Sequence, residues 1–379
     1  MPVVKLPAFI PNLAVVLSLF WPSTSPALVI SGWSILFLLG AASLAVNRLM
    51  VDAYVFLVSF ILLFFGLSCL HFVVSGSFDE FYDLARLLPV FTAFMLRNYI
   101  SLSMLNRLFL LVGLTNLLAV LAVEYDFFRD VIEILYARSF KNSYGRHSGI
   151  FLNVSTLGLF GLLSAVFSLV SLAYIRVRFT YVINFLISLS LIIASGGKTQ
   201  LLVLVLILPL VPALYMRKAF LGYIWLFAFL LSVLTLHLYG VIYIHSLQKL
   251  INGVFYGLDA LSSVGGRFDI WNSFYRLWSS SLYYMLFGVP VTSLDNLGNT
   301  FDSDPFWFIF RYGLIGFVAA YSVLAVALWS GFRCRNLFAL PLLALVIASL
   351  SVGVSLAFQM SLIFWLIVFK SLHTKNRLN

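Results

Sequence analysis

The chain has 379 residues, of which 63% are hydrophobic and 9% are charged. Soluble proteins carry about 25% charged residues, so this composition excludes an ordinary set of soluble domains, and its apolar content excludes disorder. The formal net charge of +10 is interpreted by its position relative to membrane spans rather than as a sign of nucleic-acid binding. The sequence predicts an all-α polytopic integral membrane protein, with residues 1–379 as a single transmembrane domain.

Twelve apolar runs follow one another along the chain and predict its transmembrane helices. A membrane-spanning helix needs about 20 predominantly apolar residues, and most of the runs approach that length. Run 81–97 opens with charged side chains, so an interfacial helix is the alternative there. The predicted bounds are 8–22, 26–46, 53–74, 81–97, 104–123, 149–174, 180–195, 199–216, 219–240, 303–330, 336–352 and 355–371.

The connections between these runs differ in charge, and the difference predicts orientation. Thirteen of the 23 basic residues fall in alternate connections, where Asp52 is the only acid. Because Lys and Arg are enriched in short cytoplasmic loops, both termini are predicted to be cytoplasmic. Two connections on the opposite side are long, 124–148 and 241–302. The second is rich in Trp, Tyr and Phe, which favours a folded cap.

Several Lys and Arg residues lie on the predicted outer side, although the enrichment of basic residues in cytoplasmic loops does not account for them there. Nearby glycines let backbone N–H groups approach an anion, guanidinium groups bind phosphate oxygens bidentately, and Lys adds a point charge. The set predicts a diphosphate ligand, and a snorkelling side chain or a salt bridge is the alternative for each member. For one of them, the salt-bridge partner would be Asp269. The cations are Arg146, Lys198, Arg267 and Arg276.

Acidic residues next to the late apolar run are candidates for proton transfer. Asp302 and Asp304 stand close to Pro305, which suits the first turn of a helix, so capping is the alternative role for either acid. Arg311 lies seven residues after Asp304, on the same helical face, so the two could line one cavity in which Arg311 would bind the diphosphate or another part of the substrate. A carboxylate there could accept a proton from a hydroxyl. His147 is the other candidate base.

Four short blocks of sequence, in order, resemble the superfamily of O-antigen polymerases and O-antigen ligases, bacterial inner-membrane glycosyltransferases. The first looks like the R-x-S-G-x-F-x-N stretch of that superfamily, and the second like its small-residue turn with Arg or Lys. The third looks like its G-R-x-x-x-W block and the fourth like its D-S/N…G-L-I-G block. The blocks are Arg146–Asn153, Ser195–Thr199, Gly266–Trp271 with Phe287–Pro290, and Asp302–Ser303 with Gly313–Gly316.

The resemblance implies a GT-C-like fold of about twelve helices with a large late periplasmic loop and a periplasmic active site. It implies an undecaprenyl-diphosphate-linked oligosaccharide as donor, membrane lipid as surroundings, and a chain-length regulator and a flippase as partners, with no nucleic acid. Arg146 and Arg267 would bind the diphosphate, with Lys198 in support. Neither metal nor other cofactor is implied. Cys69 and Cys334, the two cysteines, offer no metal-site spacing.

One departure bears on the kind of reaction. Ligases of the superfamily typically place a His-Asn pair eleven residues before the first glycine of G-L-I-G, where this chain has Asp302. The departure favours a polymerase, which would join repeat units in the periplasm, over a ligase that transfers glycan to lipid A-core. A flippase or exporter of the same lipid-linked glycan is the rival from another class, and a nonenzymatic channel or receptor is a further alternative.

Overall fold

A computed structural model describes residues 9–21, 26–45, 51–125, 146–151, 153–174, 178–215, 262–295, 303–355 and 357–372, with the single positions 231, 235, 237 and 248. All regular elements of this part of the chain are helices. They are α1 (Phe9–Phe20), α2 (Pro26–Ala45), α3 (Val51–Ser75), α4 (Asp79–Tyr82), α5 (Leu88–Leu96), α6 (Leu102–Glu124), α7 (Val154–Tyr174), α8 (Phe179–Ala194), α9 (Lys198–Ile207), α10 (Leu210–Tyr215), α11 (Ser262–Trp278), α12 (Leu282–Phe287), α13 (Val291–Asp295), α14 (Asp304–Arg333), α15 (Ala339–Ser349) and α16 (Phe358–Leu372). Two short 3₁₀ turns, Asp83–Leu87 and Gly149–Phe151, complete the list.

Four helices of the described chain are long and apolar enough to cross a membrane. They are the Val58–Ser75 part of α3, and α6, α7 and α14. Shorter apolar helices include α8, α9, α15 and α16. The described part of the chain is therefore all-helical, and four of its helices could each span a membrane. The count of twelve spans, the orientation and the periplasmic side stay predictions.

The chain divides by its internal contacts into two compact units. The first unit comprises Met1–Ile100, Gly266–Phe338 and Ser349–Asn376. The second unit comprises Ser101–Gly265, Ala339–Ala348 and Arg377–Asn379. Of the predicted outer loops, most of 124–148 lies outside the described residues. The predicted cap 241–302 is described chiefly over residues 262–295, where it forms α11, α12 and α13.

The second unit is organised around α7, which is 94% buried over its apolar window. Ser168 on this helix accepts a hydrogen bond from Asn184 Nδ2 of α8 at 2.9 Å, and Ser171 accepts one from Asn106 Nδ2 of α6 at 2.6 Å. Polar side chains that bond across apolar helices hold them in register where the hydrophobic effect cannot. The small residue Gly161 lets α7 approach the backbone of α8 closely.

The first unit contains α14, which bends at Gly313 (φ +65°, ψ −169°). A Cβ on Gly313 would overlap the carbonyl of Leu286, and a Cβ on Gly288 (φ +93°) would overlap the carbonyl of Arg311. Next to these two glycines, Val289 N–H donates a hydrogen bond to the Phe310 carbonyl at 2.8 Å. Only glycine combines a positive φ with such a close backbone approach. The two sequence blocks ending Phe287–Pro290 and Gly313–Gly316 therefore meet, backbone against backbone.

Several aromatic residues of the predicted cap form a core of the first unit rather than an open surface. Phe274 and Trp278 of α11 are buried together with Phe310, and the rings of Phe274 and Phe310 stack with centroids 5.8 Å apart. Tyr275, by contrast, is exposed. This division assigns Phe274 and Trp278 to packing, whereas Tyr275 lies at the surface.

Candidate functional site

The Arg146–His147 segment lies against the end of α8 in the second unit. Arg146 Nε donates to the Ser195 carbonyl at 2.7 Å, and the His147 N–H donates to the Ala194 carbonyl at 3.0 Å. The last carbonyls of a helix lack partners within the helix, and the dipole there favours a cation. Arg146 thus closes the end of α8, and the bond at Nε fixes the position of its guanidinium group.

The turn after α8 brings a second predicted cation to the same place. Gly196 N–H bonds to the Ile193 carbonyl at 2.9 Å and Gly197 N–H to the Ile192 carbonyl at 3.2 Å, the paired bonds of a Schellman motif. Gly196 has φ +65°, and a Cβ there would lie 2.8 Å from Arg146 Nε. Lys198 follows at once as the half-buried first residue of α9. Arg146 and Lys198 therefore flank one glycine turn.

His147 is held by an acidic partner that the sequence analysis did not single out. Its Nε2 lies 3.1 Å from Glu124 Oε2 at the end of α6. The His147 side chain is 8% exposed, whereas the Glu124 side chain is 47% exposed. The pair therefore joins a buried imidazole to a carboxylate that solvent reaches.

Gly149 explains how this segment fits against α6. The Asn116 side chain of α6 accepts a hydrogen bond from Ile150 N–H at 3.0 Å and donates to the Val112 carbonyl at 2.9 Å. Gly149 has φ +55°, and a Cβ there would overlap Asn116 Oδ1. The glycine of the R-x-S-G stretch is thus required by the backbone conformation and by its close neighbour.

Arg311 lies in the first unit in a different environment, with 0% of the residue exposed. Its Nη2 lies 2.7 Å from Glu80 Oε2 and donates to the Glu80 carbonyl at 3.1 Å. Its Nη1 donates to the Val289 carbonyl at 3.3 Å and contacts His71 Nδ1. Glu80 Oε1 in turn accepts from Val291 N–H at 3.0 Å. This buried ion pair joins α3, α4, α14 and the segment around α13.

The partners of His71 assign its tautomer. Nε2 lies 2.8 Å from the Phe287 carbonyl, which can only accept, so Nε2 carries the proton. Nδ1 then offers its lone pair to Arg311, which can only donate. The geometry therefore makes His71 a neutral imidazole within the buried cluster of Glu80 and Arg311.

Asp304 is buried and binds backbone groups. Its Oδ2 accepts from Val354 N–H at 3.1 Å and from Ser355 N–H at 2.8 Å, and the residue is 2% exposed. It is the first residue of α14 rather than its cap, which is Ser303. Pro305 lies in the first turn of α14, as the sequence suggests. These contacts give Asp304 a role in holding the 351–355 turn.

Of the three remaining candidates, Asp302, Arg267 and Arg276, the structure describes the side chain of Arg276 alone. Asp302 lies outside the described residues. Arg267 falls within α11, but its side chain lies outside what is described. Arg276 lies in the last turn of the same helix and is exposed. Among the described residues, no cluster of three or more His, Cys, Asp or Glu side chains is placed to hold a metal ion.

Two acidic residues of these clusters, Glu80 and Glu124, have only weak signals in the sequence. Glu80 stands in a charged stretch typical of a surface network, and Glu124 stands at the edge of an apolar run. The available signal is electrostatic: a cation inside an apolar helix such as Arg311 needs a buried counter-ion.

No protein-family model matches the chain, and no curated protein matches it.

Proposed function

We propose that the chain is a membrane glycosyltransferase that polymerises an O-antigen or exopolysaccharide from an undecaprenyl-diphosphate-linked donor. The observation that carries the proposal is the hydrogen bond from Arg146 to Ser195, which brings Arg146 to the glycine turn before Lys198. Two cations that are far apart in the sequence thus flank one turn. A diphosphate carries negative charge on several oxygens, which suits an arginine and a lysine at one turn.

The proposed reaction makes chemical use of such a site. An acceptor hydroxyl displaces the diphosphate from the anomeric carbon of the donor, and negative charge develops on the leaving oxygen. Cations fixed in place before the reaction stabilise that charge without the cost of reorganisation. Because the backbone holds Arg146 at Nε, its guanidinium group is oriented in advance. The resemblance also implies a diphosphate-binding role for Arg267, whose side chain lies outside the described residues.

The test is a gene deletion complemented by variants at matched expression. We expect Arg146→Ala and Arg267→Ala each to lose long polymer, measured as the ladder of glycan lengths on a gel. Arg178→Ala is the matched control, because Arg178 is an exposed arginine at the opposite end of α8. Full restoration of long polymer by Arg146→Ala would contradict the proposed role of that residue.

The phenotype of the deletion itself separates this function from its rivals. A polymerase defect leaves a single repeat unit attached to the lipid A-core. A ligase defect leaves no repeat on the core, and a flippase defect leaves lipid-linked repeats on the cytoplasmic side. The proposal predicts the first outcome.

A further inference from the structure

We propose that Glu124 is the residue that accepts the proton of the attacking hydroxyl, and that His147 positions it. The inference rests on the proposed function and adds to it a general base. Its starting point is the 3.1 Å contact between His147 Nε2 and Glu124 Oε2. Since His147 directly follows Arg146 in the chain, the same short segment holds the diphosphate cation and orients the carboxylate.

The difference in exposure between the two side chains decides their roles. A general base must reach the substrate and must be held in a defined orientation. The Glu124 side chain is 47% exposed and the His147 side chain 8% exposed, so the carboxylate, and not the imidazole, is the member that a substrate can approach. The backbone bond from His147 to Ala194 holds the main chain from which the imidazole reaches Glu124.

The other described carboxylates do not combine these properties. Asp304 is buried and accepts two backbone N–H groups, and Glu80 is buried against Arg311. Asp79 is exposed, but it accepts from the Ser77 hydroxyl at 2.8 Å in a local turn of the other unit. Within the described part of the second unit, Glu124 is the one acidic side chain, and it shares that unit with Arg146 and Lys198.

The proton and the electron pairs balance in the proposed step. The acceptor hydroxyl oxygen forms a bond to the anomeric carbon of the donor sugar, and its proton passes to Glu124. The bond between the anomeric carbon and the diphosphate oxygen breaks, and its electron pair leaves with undecaprenyl diphosphate. Arg146 and Lys198 stabilise that leaving charge. No oxidant, reductant or further reactant is needed.

Two measurements on the full chain test the assignment separately from the proposed function. The first is binding of undecaprenyl diphosphate to protein in lipid nanodiscs, and the second is polymer formation in the complemented deletion strain. We expect Glu124→Gln to bind within about twofold of wild type but to lose about 100-fold or more of the polymer, the size expected for a general base. Asp79→Asn, the matched exposed acid, should leave both measurements unchanged.

Glu124→Asp keeps the carboxylate on a shorter side chain. It provides a second test in case the glutamine variant does not fold. It should retain measurable polymer formation, at least about tenfold above Glu124→Gln, because the proton acceptor remains. Wild-type polymer in Glu124→Gln would overturn the assignment, and so would equal loss in Glu124→Gln and Glu124→Asp when both fold and bind. If undecaprenyl diphosphate does not bind wild type, or binds Arg146→Ala equally well, the proposed function fails instead.

The positioning role of His147 has its own readout in the pH profile of polymer formation by membrane vesicles. His147→Phe removes the ring nitrogen that faces Glu124 but keeps a planar ring, and a hydrogen bond from that nitrogen favours the ionised carboxylate. The acid limb of the profile should therefore move to higher pH, and Arg146, the charged residue next to His147 in the chain, is present in both proteins. An unchanged profile, with activity lowered equally at every pH, would overturn this role.

Discussion

Arg146 and Arg311 are both arginines of an apolar helical protein, yet their surroundings differ in kind. Arg311 is fully buried and paired with the carboxylate of Glu80. Arg146 is half-buried, and Nε donates to the neutral carbonyl of Ser195. A buried arginine paired with a carboxylate is enclosed by the fold, whereas a half-buried arginine lies within reach of solvent. The difference in burial separates an arginine that holds helices together from one that a ligand could reach.

The largest effect on stability is expected for Arg311→Ala. The change would leave the Glu80 carboxylate buried without its guanidinium partner, at a cost of about 3–5 kcal/mol in the free energy of unfolding. Unfolding of the purified protein in detergent micelles, followed by thermal melting, measures it. The double variant Glu80→Gln with Arg311→Met should recover part of the loss, because it removes both charges. An unchanged melting temperature in Arg311→Ala would contradict the conclusion that Arg311, unlike Arg146, is needed for stability.

A smaller loss is expected for Gly149→Ala, which probes the region of Arg146. The new Cβ would meet Asn116 and the residue would keep a positive φ, at a cost of about 1–3 kcal/mol. Gly66→Ala is the control, since no atom lies within 4 Å of a Cβ there and its φ is not positive. Equal melting temperatures for the two variants would show that the packing of Gly149 against α6 contributes nothing.

Arg146→Ala is expected to lower stability by about 1 kcal/mol through loss of the hydrogen bond from Nε to the Ser195 carbonyl, which is the usual net contribution of such a bond. Polymer formation should nevertheless fall by about tenfold or more, in line with the loss of one fixed donor to a developing negative charge. Arg146→Lys keeps the charge but loses the planar fork, so it should restore polymer only in part. Stability loss as large as that of Arg311→Ala, with polymer retained, would reverse the contrast.

The smallest effect is expected for Arg276→Ala, since the side chain is exposed at the end of α11. Its stability should remain within about 0.5 kcal/mol of wild type. The prediction that Arg276 contacts substrate is then tested cleanly by polymer length. A shorter ladder at an unchanged melting temperature would support that contact, and an unchanged ladder would assign Arg276 to the solvated surface.

Local signals in the sequence predict several of the described helices closely. Hydropathy locates helices such as α6 and α14 within a few residues, because the apolar character of a span is a property of neighbouring residues. Local signals do not predict which charged groups pair with one another. Glu80 and Arg311 are separated by 231 positions, and no periodic pattern links them. His147 and Glu124 stand at the two ends of one predicted loop, so their contact depends on how α6 and α8 pack.

The buried hydrogen bonds that the serines of α7 accept from asparagines of α6 and α8 affect the order in which the chain acquires its structure. They join α7 to α6 just before it and to α8 just after it, and Arg146 binds Ser195 only 49 positions away. A membrane protein made from its N-terminus can complete this neighbourhood while later helices are still on the ribosome. The contact of Arg311 with His71 spans 240 positions, so it must wait until α14 emerges. Translation can therefore assemble the surroundings of Arg146 early, whereas the buried cluster around Arg311 forms only after α14 emerges.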